Sequence, residues 1–264
     1  MSSKIIFLHI EKAAGSTIHD IMYANFLPYY VASPVKYVKG EDNQSTYLES
    51  KILNGIFDKV PGLRAAGGHS LRCYNGNDAD VFYFAFLRDP VSRYISHYFY
   101  QKEVMGIERT FEEFLDDPTF SNFMCRKLSS QADAGLAIRY IQEKAILLCL
   151  VERFDESLLR LAQFLAEKNV HGRFKPGYEV VNSRSSRKDG KAEVDAIKLQ
   201  YLDRIVANNN EDIKLYEFAK ATCPEGNGSL PALEKQSFYR LRVKLGKLLR
   251  RVVFVPLEKR AGFQ

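Results

Sequence analysis

Apolar positions along this 264-residue chain fall into two kinds of pattern. Ile5 to Ile10, Val81 to Leu87 and the stretch 146–151 are short apolar runs containing β-branched residues, as expected of strands buried on both faces. The run after Gly15 changes to helical spacing at Ile18, Ile21 and Met22, and similar periods recur further on. These patterns predict strands at 4–10, 81–87 and 146–151, and helices at 15–25, 90–104, 155–168, 195–208 and 210–221. Thr110-Phe111-Glu112-Glu113 reads as a capping box opening a short helix. The region 26–80 is less regular and rich in Tyr, Asn and Gly, so it is expected to form ligand-facing loops. Alternating strands and helices predict a three-layer, P-loop-like α/β fold. Its central parallel sheet is flanked by helices, with a ligand at the C-terminal strand ends.

Two strand ends carry candidate chemistry. The first apolar run stops at Glu11-Lys12-Ala13-Ala14-Gly15-Ser16-Thr17 and gives way to a helix. Such a turn gathers free backbone N–H groups at the positive end of a helix dipole. Lys12 adds a full charge, Ser16 and Thr17 add hydroxyls, and Gly15 lets the backbone approach a ligand. The segment is not a Walker A loop, because Lys12 precedes Gly15 and no Gly-Lys-Ser/Thr ending is present. The second run ends at Arg88-Asp89-Pro90, with Pro90 suited to a first helical turn and Asp89 to its cap. Arg93 and Ser96 follow one helical turn apart, so Arg88, Arg93 and Ser96 are expected to converge on one phosphate. Two such edges in one sheet fit a nucleotide bearing two separate anionic groups.

Together the two segments resemble the cofactor signature of sulfotransferases that use 3′-phosphoadenosine 5′-phosphosulfate (PAPS), nearest the carbohydrate branch that includes the heparan 2-O-sulfotransferases. The match over Leu87 to Ser96 is nearly complete. The match over His9 to Thr17 departs at Glu11, where the family has proline, and at Ala13, where it has threonine. Weaker likeness continues through Asn122–Ser129, Leu150–Leu158, Asn182–Lys188 and Asp212–Tyr216, covering residues 4 to 220 in all. The resemblance implies PAPS bound by Lys12, Ala14, Gly15, Ser16, Thr17, Arg88, Arg93 and Ser96, with Arg187 and Lys188 on a basic loop that closes over the nucleotide. It implies in-line sulfuryl transfer to a hydroxyl on a carbohydrate or glycolipid, with the 26–80 loops facing the acceptor. Lys12 would stabilise charge on the leaving phosphate. The general base would be His69 of Gly67-Gly68-His69-Ser70, which matches the family's Gly-His segment. By position, His9 reads as a core histidine and His19 and His97 as packing residues beside the motifs, while His171 has no motif around it.

Charge changes the picture at one end only. The chain carries +6, but residues 230–264 hold nine Lys/Arg against two acids, leaving −1 for residues 1–229. The expected organisation is therefore a sulfotransferase domain at 1–225 and a basic amphipathic tail at 226–264, joined through Pro224 to Ser229. In the tail, Phe238, Leu241, Leu245, Leu248 and Val252 form one helical stripe with basic neighbours. The stripe either docks on an anionic membrane or glycan, or packs back on the domain. No apolar run long enough to cross a membrane and no signal segment is visible. The four cysteines, Cys73, Cys125, Cys149 and Cys223, lack metal-type spacing. The expectation is a cytoplasmic enzyme, able to touch the inner membrane face, with no metal and no nucleic-acid partner. The rival readings are a P-loop-type nucleotide kinase or NTPase, against which the missing Walker A ending counts, and a non-catalytic anion- or glycan-binding module.

Overall fold

The computed structural model describes residues 3–32, 47–74, 80–179, 188–223, 230 and 236–260. Five parallel strands form one sheet in the order β2-β3-β1-β4-β5. They are β1 (Lys4–Leu8), β2 (Tyr30–Val31), β3 (Ala65–Gly68), β4 (Val81–Leu87) and β5 (Leu147–Leu150). β1 lies in the middle, with Leu8 between Gly68 and Ala85 of its two neighbours. Its Ile5, Ile6, Phe7 and Leu8 are at most 1% exposed, which is why the run is apolar without alternation. From β1 the chain goes to the edge strand β2, returns to β3 beside β1, then crosses to β4 and β5 on the other side. The gap between β1 and β4 is therefore the switch point, where the C-terminal strand ends open a crevice.

Helices flank the sheet. α1 (Gly15–Asn25) follows β1, α2 (Ser50–Lys59) precedes β3, and α3 (Pro90–Glu103) follows β4. After α4 (Phe111–Leu115), α5 (Phe123–Ser129) and α6 (Ala134–Glu143) comes β5, followed by α7 (Phe154–Glu167), α8 (Lys188–Asn208) and α9 (Asn210–Thr222). Both halves of the capping box at Thr110 form, with Glu113 N–H donating to Thr110 Oγ1 and Thr110 N–H to Glu113 Oε2. The region 26–80 departs from expectation: it supplies β2, α2 and β3. β3 reads Ala65-Ala66-Gly67-Gly68, a weak strand sequence, yet nothing larger fits. A Cβ on Gly67 would come within 2.1 Å of Tyr29 Oη, and Gly68 has φ +143 with Ala32 O 1.9 Å from any added Cβ.

The C-terminal segment folds as α10 (Gln236–Leu249), a π-turn at Arg250–Phe254 and α11 (Val255–Arg260). One face of α10 packs on α1, where Gly246 lies so close to Tyr23 that a Cβ would reach its Cδ1 at 2.4 Å. Lys247 Nζ sits 2.7 Å from Asp20 Oδ1, and the Arg242 guanidinium donates to the Ala24 and Asn25 carbonyls at the end of α1. Beyond the turn, buried Phe254 packs on Tyr30, whose hydroxyl donates to the buried Glu258 carboxylate at 2.8 Å. All four cysteines are free thiols, and no helix among the described residues is long and apolar enough to cross a membrane.

Candidate active site

The turn between β1 and α1 is tightly wound. Lys12 has φ 68 and Ala14 has φ 59, both left-handed conformations uncommon for residues with a side chain. No side chain caps α1, so its opening amides at Gly15, Ser16 and Thr17 stay available at the positive helix end. Ser16 is exposed, and Lys12 and Thr17 are half-buried. The space left by the missing side chain of Gly15 is taken by a neighbour: a Cβ there would stand 1.6 Å from His9 Nε2. The packing of His9 is by itself enough to require glycine at this position.

Arg88 leaves the end of β4 and donates from Nη1 to Lys12 O at 3.1 Å, tying the two turns together across the switch point. Asp89 caps α3 by accepting from Ser92 N–H, and its own N–H donates to Glu152 Oε1 at 2.8 Å. Ser96 lies half-buried on the same helix. Lys12 Nζ rests 4.2 Å from the Tyr100 ring centroid, one further turn along α3. Burial, then the Arg88 charge, pulls the Lys12 ammonium down to about 8.

Arg93 departs from expectation. It is 0% exposed, donating to Phe120 O at 3.2 Å, approaching His97 Nδ1 at 3.3 Å and facing the Phe123 ring. The reason is the burial pattern of α3: Arg93, Tyr94, His97 and Tyr98 form the inner face, against α4 and the turn at 118–120. Arg93 therefore packs within the inner face of α3. Arg187 lies outside the described residues; Lys188 opens α8.

A second cluster stands beside the Lys12 turn. His69, immediately after β3, places Nδ1 3.0 Å from Glu11 Oε1, off the line of an ideal N–H bond, and the carboxylate favours the Nδ1–H tautomer. The imidazole stacks on His9 with centroids 3.8 Å apart. His9 in turn meets His19 at 3.1 Å, and His19 meets Tyr29 Oη at 2.9 Å. Buried Lys127 of α5 donates to His69 O. Glu11 is 27% exposed yet ringed by protein; burial alone would raise its pKa, but Lys127 and then His69 hold it well below the usual carboxylate range. Burial and the surrounding cations keep His9 and His19 neutral, with His19 pushed down to about 3. Burial followed by the Arg93 charge also holds His97 at about 3, as a packing residue.

Two partners here carried no sequence signal of their own. Glu11 stood out only as a departure from the family pattern, and Lys127 sat unremarked beside Arg126. Three of the four weaker resembling segments clamp one another, while Asn182 to Arg187 lie outside the described residues. Asn122 Oδ1 accepts from the Glu211 and Asp212 amides opening α9, while Asp212 accepts from the Met124 and Cys125 amides opening α5. Glu152 joins the β4–α3 turn to α9 through the Tyr216 hydroxyl. Next to the site, a cleft of about 410 Å³ runs from Ser16 and His19 to Lys247, Arg250 and Arg251. Among the described residues no group of three or more His, Cys, Asp and Glu could hold a metal ion.

The uncapped start of α1, with Lys12 beside it, and the Arg-Asp-Pro start of α3 thus meet at the switch point of the parallel sheet. A family model described as the sulfotransferase family matches residues 2–219, and the chain belongs to that family. Among solved structures it is similar to a sulfotransferase from Alicyclobacillus acidocaldarius, at 18% identity over 78% of this chain and 96% of that one, with a TM-score of 0.44. It is also similar to mouse sulfotransferase SULT7A1 complexed with PAP, at 14% identity over 74% of this chain and 63% of that one, with a TM-score of 0.39. No curated protein sequence matches the chain. α10, the π-turn and α11 lie beyond the family match.

Proposed function

We propose that this enzyme transfers a sulfuryl group from PAPS to a hydroxyl on a carbohydrate or glycolipid, in the manner of the branch its two motifs resemble. The observation that carries the reading is the Arg88–Lys12 junction, which sets the uncapped start of α1 beside the start of α3. The α1 amides, Lys12, Ser16 and Thr17 would hold the 5′-phosphosulfate, and Arg88 with Ser96 the 3′-phosphate. His69 would take the proton of the acceptor hydroxyl at Nε2 as the new O–S bond forms and the bond from sulfur to the 5′-phosphate breaks. Glu11 would hold the ring in the required tautomer. The cleft toward Lys247, Arg250 and Arg251 offers room for an acceptor beside His19.

Calorimetry with 3′-phosphoadenosine 5′-phosphate tests the nucleotide end. Arg88→Ala and Ser96→Ala should each weaken binding, Arg88→Ala by about 1.5–3 kcal/mol because it removes a charge-assisted donor. Preference over the analogue lacking the 3′-phosphate should shrink in parallel. Folded variants with unchanged affinity and unchanged preference, or a wild-type protein that prefers ATP, would refute the assignment.

A further inference from the structure

α10 has two apolar faces, and the described residues pack against only one of them. Val243 and Gly246 sit against α1, whereas Phe238, Leu241, Leu245, Leu248 and Val252 are 44–60% exposed. Their spacing of three and four residues places all five on one stripe, and nothing among the described residues covers it. The stripe is thus not what holds the helix to the domain. Five large exposed side chains in line along α10 and the π-turn are far from the scattered exposed residues of an ordinary surface.

What surrounds the stripe selects its occupant. Every exposed ionisable side chain described on residues 237–260 is basic; the only acid there, Glu258, is buried against Tyr30. Lys244 and Arg251, seven residues apart, are exposed along one border of the stripe, and Lys259 and Arg260 extend the charge beyond it. A polyanionic chain such as a nucleic acid or acidic glycan would satisfy the cations but offer the stripe no apolar phase. A second copy of the protein would cover the apolar side chains but bring two basic rims together. An anionic bilayer supplies both, with acyl chains for Phe238 and the leucines and headgroups for lysine and arginine heads that snorkel outward. We propose that α10 lies in the plane of an anionic lipid surface, apolar stripe inward. Its opposite face stays on α1, so the enzyme is held at the membrane with the cleft of Ser16, His19 and Arg251 beside the headgroups. This inference stands on α10 alone and does not depend on the donor or acceptor assigned above.

Co-sedimentation of the full chain with vesicles tests it. Binding should be at least about tenfold tighter to phosphatidylcholine vesicles containing phosphatidylserine than to phosphatidylcholine alone, and should weaken as salt rises. The double variant L241E/L245E, altered only at exposed positions, should lose vesicle binding while keeping the wild-type melting temperature and nucleotide affinity. K244E/R251E should lose the preference for anionic lipid. Equal binding to both vesicle types, no binding to either, or a double variant that still binds would overturn the proposal. So would a concentration-dependent dimer that L241E/L245E dissolves, since the stripe would then belong to a second copy.

Discussion

Lys12→Ala is expected to lower sulfuryl transfer by about 10²–10³-fold, the range for removing one preorganised charge from a developing anion. The loss should fall mainly on kcat, because negative charge on the leaving phosphate grows toward the transition state. The geometry adds a pH signature. Lys12 is half-buried under Tyr100 and beside Arg88, which brings its ammonium down to about 8 in the free enzyme. A bound nucleotide anion favours the charged form and raises that value again. Between the two values, binding takes up a proton, so affinity should fall as pH rises above about 8, by up to about tenfold per pH unit. Calorimetry at pH 9 in buffers of different ionisation enthalpy should detect close to one proton taken up, and Lys12→Met should abolish it. A wild-type enzyme with flat nucleotide affinity from pH 7 to 10 would show that Lys12 does not meet the phosphates. A Lys12→Ala variant with normal kcat and raised KM would assign it to ground-state binding alone.

The strands nearest the site were legible because their signals are local. β1 and β4 are unbroken apolar runs ending at polar turns, and Asp89-Pro90 marks the start of α3 in any context. β3 is different in kind. Ala65-Ala66-Gly67-Gly68 has almost no strand propensity, and its place in the sheet follows from what it must fit between: Phe7 on β1, Tyr29 and Ala32. Only small residues pass there, a constraint that exists in three dimensions and not in the pattern. Arg93 shows what spacing alone leaves open. Its spacing from Ser96 puts both on neighbouring turns, but a helix has several faces, and α4 with the turn at 118–120 decides which one is buried. The tail was legible as an amphipathic helix. That its stripe would face outward while Val243 and Gly246 face α1 depended on Tyr23 offering a groove to a glycine. The grouping of Glu11, His69 and Lys127 draws one residue from each of three distant segments, so no window of sequence contains it.

His69→Ala is expected to produce the largest loss, about 10²–10⁴-fold in turnover, the usual contribution of a positioned general base. Its nucleotide affinity and melting temperature should stay near wild type, because the side chain is 31% exposed and its backbone carbonyl, which Lys127 holds, survives the substitution. Glu11→Gln separates catalysis from positioning. Glutamine keeps the shape but loses the charge that favours Nδ1–H, so kcat should drop by less than in His69→Ala, with KM for the donor little changed. The double variant should be no slower than His69→Ala alone, since Glu11 acts only through His69. The other histidines are unequal controls. His19 bonds both His9 and Tyr29, and His97 lies buried against Arg93, so replacing either should lower the melting temperature. His171, in the loop after α7, meets the Asn25 carbonyl, the Arg173 amide and the Phe26 and Phe174 rings and none of the site residues, so its replacement by alanine should leave activity intact. A His69→Ala enzyme that keeps wild-type turnover, beside a Glu11→Gln enzyme that does the same, would remove this dyad from the chemistry and leave the Lys12 turn without its base.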